Sequence, residues 1–441
     1  MIPKSQSVLI NPASRLGGTL AVPGDKSISH RVAMLAALAK GTSKVQNFLQ
    51  SEDCLNTLHA MERLGARSFF TDDGELTVQG TGGKFLEPVD PLDLGNSGTG
   101  MRLLAGLLAG LPVTAELTGD ESLRSRPMNR IKEPLEKMGA SVELLGESGR
   151  PPIRVRGGGL KGMDYAIPVA SAQVKSCILL ATLFAEGTTT ITEVLPTRDH
   201  TERLFRMAGI ALEVEGLRVR MKGHGAKGPK LKARAWEVPG DFSSAAYALA
   251  AVAARPDSSV TVTHVGLNPR RTALLDVLRR MNARVDVAVR SRPDEAEPFG
   301  DVTVSGARLK GTTVGGEEIP ALIDELPLVA ILGALAEGET VIRDARELRV
   351  KESDRITCMA NNLKILGVDV EEREDGMVIR GPARLQPVAG IQSYGDHRIA
   401  MSLAVLGLYG EGPVCVHNIA CVLTSYPAFW DHLIALGAHV E

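Results

Sequence analysis

The chain has 441 residues, of which 44% are hydrophobic, 23% charged and 4% aromatic, and its formal net charge is −2. So few aromatic residues argue against a stacking platform for single-stranded nucleic acid, and the near-neutral charge argues against a general polyanion-binding protein. The length exceeds what one hydrophobic core usually serves, so we expect two domains.

The five cysteines, at positions 54, 177, 358, 415 and 421, form no CxxC pair, which favours a reducing compartment over a disulfide framework or a zinc site. The first residues, MIPKSQSVLINPASR, contain no long apolar run. No uncharged apolar run reaches the ~18 residues that a membrane span needs. We therefore expect a cytoplasmic protein without a metal ion.

One pattern recurs six times along the chain. Each copy has an Ala- and Leu-rich first helix, a β-branched strand, a second helix and further strand. The first helices begin at or close to residues that favour a helix N-cap, namely Asp25, Asn96, Ser171, Asp241, Asp324 and Asp396. The second helices end at residues suited to a left-handed stop, namely Gly65, Gly139, Gly209, Asn282, Gly367 and Gly437. These helix ends lie 70 to 85 residues apart. Such a recurring spacing indicates a repeat architecture.

Each repeat therefore reads as a βαβαββ unit whose first helix is apolar almost all round. Such a helix is buried, so three of them can pack together under covering sheets to form one α/β domain. Residues 233–244, ARAWEVPGDFSS, are the best junction between two three-repeat domains. The early strand GGTLAVPG precedes the first repeat and is expected to complete the other domain. The predicted domains are thus 24–238, and 1–23 together with 239–441.

Several first helices carry chemistry at their N-termini, where free N–H groups and the helix dipole favour anions. In the first repeat, DKSISHR places Lys26 and Arg31 at this positive end, at a cost of about 0.3–1 kcal/mol each that a bound anion would offset. Solvated surface charge is the alternative interpretation. The fourth repeat, PGDFSSAA, lacks such cations.

The second repeat contains GNSGTGMR and SLRSRPMNR. Its glycines allow close approach of a ligand, and Arg124, Arg126 and Arg130 in one loop suit oxyanion recognition, although a solvated basic loop is also possible. Neither stretch is a Walker loop or a dinucleotide fingerprint. In the third repeat, SAQVKS offers neutral hydrogen bonds to ring hydroxyls, and TRDHTE is either part of the site or an ordinary helix start.

The fifth repeat is the densest in charge. IDELP places Asp324 and Glu325 at a helix start, and RVKESDR places Lys351, Glu352 and Arg355 within about one helical turn. These are acid–base groups in a closed cleft or an exposed ladder of salt bridges. In the sixth repeat, Asp396-His397-Arg398 offers a proton-shuttle candidate that is otherwise an ordinary core histidine. No HExxH or Cys/His cluster has metal-ligand spacing.

Taken together, GDKSISHR, LGNSGTGMR, RPMNR, SAQVKS, TRDHTE, RVKESDR and GDHRIAMS resemble 5-enolpyruvylshikimate-3-phosphate synthase, from about residue 15 to the end. The resemblance implies two inside-out domains of three repeats each, closing on substrates in the cleft between them. It implies transfer of the enolpyruvyl group of phosphoenolpyruvate to the 5-hydroxyl of shikimate 3-phosphate, through a tetrahedral intermediate and with loss of phosphate. This reaction belongs to the shikimate pathway to chorismate and aromatic amino acids.

The resemblance also implies a set of site residues, shared between two substrates. The shikimate 3-phosphate set is Lys26, Ser27, Arg31, Ser171, Ala172, Gln173, Arg198, Asp324 and Lys351. The phosphoenolpyruvate set is Lys26, Gly98, Arg126, Gln173, Arg355 and Arg398. Asp324 would accept the 5-hydroxyl proton, while Glu352 and Lys26 would share the proton moved to and from the methylene carbon. The family implies no cofactor, metal, nucleic acid or membrane partner, and no unpaired helix seam suggests anything other than a monomer.

Three departures from the family pattern stand out. Many members have Ser where Ala172 stands, and Asn where Glu347 stands. Many have a Lys in a TSKxFP motif, whereas LTSYPAF here has none. The position of Gly98 lines the pocket that phosphoenolpyruvate shares with glyphosate, and many insensitive members carry Ala there. SAQVKS and TRDHTE resemble the branch often associated with insensitivity, yet Gly98 is kept.

Two other functions are alternatives to the one that this resemblance implies. The sister enolpyruvyl transferase acting on UDP-N-acetylglucosamine places a reactive Cys in the loop of the second repeat, but DESLRSRPMNR contains none. A catalytically inactive anion-binding module would gain nothing from Asp324 and Glu352 beside the cations.

Overall fold

The polypeptide forms two units, each with its own hydrophobic core. The computed structural model describes residues 6–292 and 297–441. Contacts divide these residues into an N-terminal unit, 24–238 together with Glu297, and a C-terminal unit, 6–23, 239–292 and 298–441.

The strands and helices follow the repeats in chain order. The first elements are β1 (Ser7–Ile10), β2 (Gly17–Ala21), α1 (Lys26–Leu38), β3 (Lys40–Gln46), α2 (Glu52–Arg63), β4 (Arg67–Phe70) and β5 (Leu76–Thr81). The second repeat contains β6 (Leu92–Asp93), α3 (Gly98–Gly110), β7 (Thr114–Thr118), α4 (Glu121–Arg124), α5 (Asn129–Met138), β8 (Ser141–Gly146) and β9 (Arg150–Arg156). The third contains β10 (Asp164–Ala166), α6 (Ala172–Thr182), β11 (Thr188–Thr192), α7 (His200–Met207), β12 (Glu213–Glu215) and β13 (Arg218–Lys222), followed by β14 (Ala235–Glu237).

The second half repeats the pattern. The fourth repeat contains α8 (Phe242–Ala253), β15 (Ser259–Gly266), α9 (Ala273–Arg280), β16 (Arg284–Val289) and β17 (Phe299–Ser305). The fifth contains β18 (Thr313–Val314), α10 (Ile319–Leu322), α11 (Leu326–Leu335), β19 (Gly338–Ile342), α12 (Arg355–Ile365), β20 (Asp369–Arg373) and β21 (Gly376–Gly381). The sixth contains β22 (Val388–Gln392), α13 (His397–Gly407), β23 (Val414–His417) and α14 (Phe429–Ala435). Short 3₁₀ turns span Gly316–Glu318, Arg346–Val350 and Ile419–Thr424.

The described strands form six small sheets with one plan. In three of the five four-stranded sheets, the strand that precedes a first helix pairs in parallel with the strand that follows that helix, and two antiparallel strands complete the sheet. Two of the leading strands come from elsewhere in the chain. Strand β2 pairs with β15, with Thr19 opposite Thr261, and β14 pairs with β3, with Trp236 opposite Val45.

The first helices form the interior, as the sequence predicted. Every residue of α8 and of α13 is buried. Strand residues alternate, as in the pattern of β9, so that one face covers the helices and the other faces solvent. Helices α3 and α6 approach closely because Gly106 has no side chain; a Cβ there would lie 2.2 Å from the Cys177 carbonyl oxygen. The predicted α/β class with buried first helices is confirmed.

The predicted helix boundaries hold with two adjustments. The six residues that end the second helices all have positive φ, from 79° at Asn282 to 110° at Gly139. In the second repeat, the first helix (α3) is capped by Ser97 rather than Asn96. In the fifth repeat, the first helix (α11) begins after Glu325 rather than Asp324. Asn96 accepts instead from Nη2 of Arg126 at 2.6 Å, so its side chain is occupied elsewhere.

Candidate active site

The predicted site residues fall into two groups, one in each unit. We call them the N-terminal half-site and the C-terminal half-site. The N-terminal half-site contains Lys26, Ser27, Arg31, Gly98, Arg126, Ser171, Ala172, Gln173 and Arg198. The C-terminal half-site contains Asp324, Lys351, Glu352, Arg355 and Arg398.

Lys26 is the first residue of α1, which Asp25 caps by accepting from the backbone N–H of Ile28 at 2.9 Å. Its ammonium nitrogen lies 3.2 Å from Oδ2 of Asp53 on α2, and its side chain is only 17% exposed. A buried carboxylate on the neighbouring helix therefore fixes the position of this cation.

Arg31 lies one turn further along α1 and is buried. Burial lowers the pKa of Arg31 to about 10, against the opposing effects of Glu202, Asp25 and Glu297, while Arg198 lowers it further. Since Arg198 acts on Arg31 through its charge, the structure brings these two predicted cations into one electrostatic environment. Placing a second cation beside a desolvated guanidinium suits a site that receives an anion.

Gln173, on the first turn of α6, joins two repeats. Its Oε1 accepts from Nη1 of Arg102 at 2.7 Å, and its Nε2 donates to the Thr99 hydroxyl at 2.9 Å. Ser171 caps the same helix by accepting from Val174, and Ala172 follows it as the first helical residue. The neutral end of α6 is thus held against the start of α3.

Gly98, the first residue of α3, lies under two guanidinium groups. A Cβ at this position would lie 2.9 Å from Nη1 of Arg126 and 3.0 Å from Nη1 of Arg102. Arg126 is buried, and its Nη2 donates to Asn96 at 2.6 Å and to Ser122 at 3.2 Å. Glycine therefore makes room for two arginines to converge on a helix N-terminus. Arg102 was not among the predicted residues, although it closes the GNSGTGMR motif.

In the C-terminal half-site, Asp324 lies among three guanidinium groups. Its carboxylate oxygens are 3.5 Å from Nη1 of Arg355, 3.6 Å from Nη1 of Arg271 and 3.7 Å from Nη2 of Arg398. The side chain is 18% exposed, so a ligand can reach it. The accessible carboxylate therefore has guanidinium groups on three sides.

Arg355 is fixed by carboxylates on two sides. Its Nε donates to Oδ2 of Asp396 at 2.8 Å, its Nη2 donates to Oδ1 of Asp396 at 3.2 Å, and Nη2 also donates to Oε2 of Glu352 at 2.6 Å. Burial alone would lower the pKa of Arg355, but Asp396, Glu352 and Asp324 outweigh it and raise that pKa. Asp396, which the sequence presented as a helix cap, is thus also the main anchor of this guanidinium.

Lys351 lies near the same carboxylates. Its Nζ is 3.7 Å from Oε1 of Glu347, the residue that replaces the family's Asn. Burial lowers the pKa of Lys351, although Glu347, Asp324 and Glu352 act in the opposite direction. The departure at Glu347 therefore gives this lysine a carboxylate neighbour.

Arg398 on α13 faces Glu325, which is fully buried. Its Nη1 donates to Oε1 of Glu325 at 3.3 Å, and the Ser243 hydroxyl donates to the same oxygen. Burial opposes ionisation of Arg398, yet Asp324, Tyr247 and Glu325 raise its pKa well above the usual value. Glu325 is thereby a supporting carboxylate rather than an exposed one.

Arg271 was not identified from the sequence, because cations were considered only in PGDFSSAA, at the start of the first helix of the fourth repeat. It is buried and donates from Nη2 to the Ser243 hydroxyl at 2.6 Å, and its Nη1 lies 3.7 Å from Oε2 of Glu325. The tandem arginines of NPRRTA, which follow β15, were the available signal.

The LTSYPAF segment, which lacks the family's Lys, contributes to the core instead. Tyr426 is buried, its ring lies 5.7 Å from that of Phe429, and its hydroxyl pairs with Nδ1 of His432 at 2.6 Å. The segment thus packs an aromatic cluster beside α14.

None of the helices in the described residues is long and apolar enough to cross a membrane. No group of three or more His, Cys, Asp or Glu side chains there is arranged to hold a metal ion.

Comparison with known proteins places the whole chain in one family. A model of the family described as EPSP synthase (3-phosphoshikimate 1-carboxyvinyltransferase) matches residues 10–433. The 3-phosphoshikimate 1-carboxyvinyltransferase of Akkermansia muciniphila is 51% identical over 425 residues, covering 94% of this chain and 96% of that protein. The protein of the same name from Desulforamulus reducens is 47% identical, covering 97% of this chain and 98% of its own length.

Solved structures agree. The EPSP synthase of Acinetobacter baumannii is similar with a TM-score of 0.85 and 42% identity, covering 99% of both chains. The enolpyruvyl transferase NikO of Streptomyces tendae has a TM-score of 0.78 at 19% identity and shows a shared fold alone. With the motifs, the repeats and nearly full-length relatives in agreement, the chain belongs to the EPSP synthase (3-phosphoshikimate 1-carboxyvinyltransferase) family.

Proposed function

We propose that this protein transfers the enolpyruvyl group of phosphoenolpyruvate to the 5-hydroxyl of shikimate 3-phosphate, releasing phosphate. One observation carries the proposal. Both units have helix ends rich in cations, and the partly exposed carboxylate of Asp324 lies among three guanidinium groups. Each substrate carries a phosphate and a carboxylate, so the reaction needs cations for four anionic groups and a base for one proton.

We assign the N-terminal half-site mainly to shikimate 3-phosphate. Lys26, Ser27, Arg31 and Arg198 supply cations and a hydroxyl, and Ser171, Ala172 and Gln173 supply the neutral start of α6. The buried Arg31, whose pKa is lowered by burial and by the charge of Arg198, supports this assignment, because a desolvated cation close to a second cation gains most from an incoming anion. Lys351 from the other half-site would add a further cation.

We assign phosphoenolpyruvate to Arg355 and Arg398 of the C-terminal half-site and to Lys26, Gly98, Arg126 and Gln173 of the N-terminal one. Bound carboxylates hold Arg355 and Arg398 in place, which supports a role as rigid anion ligands. The absence of a side chain at Gly98 lets the guanidinium of Arg126 lie directly against the start of α3, which supports a shared anion-binding point.

The two half-sites together supply the proton transfers. Asp324 takes the proton of the 5-hydroxyl of shikimate 3-phosphate as the oxygen of that hydroxyl adds to C2 of phosphoenolpyruvate. At the same time, Glu352 and Lys26 deliver a proton to C3. The adduct then loses a C3 proton to the same pair, the bond from C2 to the phosphate oxygen breaks, and the proton held by Asp324 leaves with the released phosphate. Glu352 is 20% exposed while tied to Arg355, which supports a group that both contacts ligand and is held in place.

The decisive experiment measures phosphate release by the purified protein. We expect release with shikimate 3-phosphate and phosphoenolpyruvate together and none with either alone. UDP-N-acetylglucosamine in place of shikimate 3-phosphate is the control for the sister transferase reaction and should release no phosphate. Release from phosphoenolpyruvate alone, or no release with both substrates, would contradict the proposal.

We further propose that the enzyme works as a cytoplasmic monomer. The five cysteines are free, and burial raises the pKa of the Cys54 thiol, which suits unreactive core thiols in a reducing compartment. Each unit also completes its own core from its own strands and helices. Light scattering during size-exclusion chromatography should give the mass of one 46.9 kDa chain, and a multiple of it would contradict this assignment.

A further inference from the structure

Arg31 is held by two side-chain hydroxyls that come from a different repeat. Its Nε donates to Oγ1 of Thr201 at 2.7 Å, and its Nη2 donates to Oγ of Ser176 at 2.7 Å. Thr201 in turn donates its own proton to Ser176, again at 2.7 Å, which closes a ring of three hydrogen bonds. The remaining contact is internal to α1, where Nη1 donates to the Ser27 carbonyl at 2.8 Å. Both hydroxyls are buried.

The partners of Arg31 differ in kind from those of the arginines in the C-terminal half-site. Arg355 and Arg398 donate to carboxylates, which cancel much of their charge. Arg31 donates to two hydroxyls and one carbonyl, all of which are neutral. Neutral acceptors fix the plane of a guanidinium and leave its positive charge for a ligand. Hydrogen bonds from such a charged donor to an oxyanion are stronger than hydrogen bonds between two neutral groups.

The contacts also leave donors of Arg31 for a ligand. A guanidinium has five N–H groups, and within residues 6–292 and 297–441 three of those of Arg31 have partners. One N–H remains on each terminal nitrogen, which matches two oxygens of a single phosphate or carboxylate.

A buried ion-pair cluster fixes the two hydroxyls from behind. Lys175, next to Ser176, lies 2.7 Å from Oε1 of Glu202, which is next to Thr201. The same ammonium lies 3.0 Å from Oε2 of Glu193, and all three side chains are at most 3% exposed. One ammonium thus pairs with two carboxylates, and the cluster joins α6 to α7 just where each helix presents its hydroxyl.

We propose that Thr201 and Ser176 are positioning residues for the binding of shikimate 3-phosphate. They hold the Arg31 guanidinium in one plane, without neutralising it, so that its two remaining N–H groups meet an oxyanion of that substrate. The proposal rests on the proposed function and adds to it two residues outside the predicted site. Neither hydroxyl needs to contact the substrate itself.

The test replaces each hydroxyl and measures binding by calorimetry. Thr201→Val keeps the shape and removes the acceptor, and Ser176→Ala does the same with a smaller change. We expect each to weaken shikimate 3-phosphate binding by about 10- to 100-fold, the range for a hydrogen bond to a charged group, while the phosphoenolpyruvate KM stays unchanged. Thr201→Ser keeps the hydroxyl and should restore binding.

Two controls separate positioning from general damage. Thr182→Val removes another buried hydroxyl of α6, one that bonds Thr189 and the Ile178 carbonyl, and should leave shikimate 3-phosphate binding unchanged. In an Arg31→Gln background, Thr201→Val should add nothing further, because it acts through the missing guanidinium.

The outcomes are distinct. Wild-type affinity in both Thr201→Val and Ser176→Ala, or an equal loss from Thr201→Val with and without Arg31, would overturn the inference. Shikimate, which keeps the carboxylate but lacks the phosphate, identifies the oxyanion: loss with both ligands points to the carboxylate and loss with shikimate 3-phosphate alone points to the phosphate. Failure of the wild-type protein to bind shikimate 3-phosphate would instead refute the proposed function.

Discussion

Replacing Asp396 by Asn tests how far phosphoenolpyruvate binding depends on the anchoring of Arg355. Both oxygens of this fully buried carboxylate accept from Arg355, at 2.8 and 3.2 Å, while Ser353 and the backbone N–H of Arg398 donate to it as well. Whichever way the amide of Asn is turned, its NH2 group faces an N–H of Arg355. The substitution therefore loses one charge and also opposes two donors.

The magnitude follows from the burial. Removing one charge of a buried ion pair typically costs about 3–5 kcal/mol. A tenfold change in affinity needs only about 1.4 kcal/mol, so losing even part of that orientation energy should raise the phosphoenolpyruvate KM by at least about tenfold. The shikimate 3-phosphate KM should change much less, because its proposed cations lie largely in the other unit.

Steady-state kinetics with each substrate varied in turn provides the assay, and Asp241→Asn is the matched control. Asp241 caps the corresponding helix of the fourth repeat by accepting from the backbone N–H of Ser244, and its Oδ1 lies 3.8 Å from Nη2 of Arg271. Asn caps helices about as well as Asp, so this control should leave the phosphoenolpyruvate KM close to the wild-type value. An unchanged KM in Asp396→Asn, or equal changes in both variants, would refute the reasoning.

Three further predictions concern the predicted site residues. Asp324→Ala should lower turnover by about 10²–10⁴-fold, as removal of a general base does, while calorimetry still detects phosphoenolpyruvate binding; near-wild-type turnover would reassign the base. Gly98→Ala should raise the glyphosate inhibition constant more than the phosphoenolpyruvate KM, because its methyl, 2.9 Å from Nη1 of Arg126, shortens the pocket for the longer molecule; equal increases in inhibition assays would exclude this. Shikimate 3-phosphate binding should weaken as pH rises through the lowered pKa of Lys351, because the ammonium loses its charge there. Glu347→Gln removes a charge that raises this pKa, so it should shift the loss of binding to lower pH. A shift to higher pH in profiles of the shikimate 3-phosphate KM would contradict this prediction.

The sequence predicts the features that depend on local rules. The left-handed residues that end the second helices follow from Gly and Asn chemistry, and the buried first helices follow from being apolar all round. The signature residues of the candidate site are visible because each lies in a short motif at a helix start.

Side-chain partners that meet only after folding could not be predicted. Thr201 and Ser176 are 170 and 145 residues from Arg31 in the chain, and although they lie in TRDHTE and SAQVKS, neither motif shows that their hydroxyls accept from Arg31. Arg271 and Glu325 meet through Ser243, at the start of a helix without a motif of its own. Asp396 looks like a cap in the sequence, and its role as the anchor of Arg355 depends on how α12 and α13 are placed within the unit.

The strand pairings set an order for folding during synthesis. The N-terminal unit can complete its sheets once β14 has been made, since β14 supplies the leading strand beside β3. Strand β2 must wait for β15, about 240 residues later, which at about 5–20 residues per second amounts to roughly 12–50 seconds. Strand β1 waits longer still, for β23. The nascent chain thus carries unpaired strands at its start while one unit closes behind them.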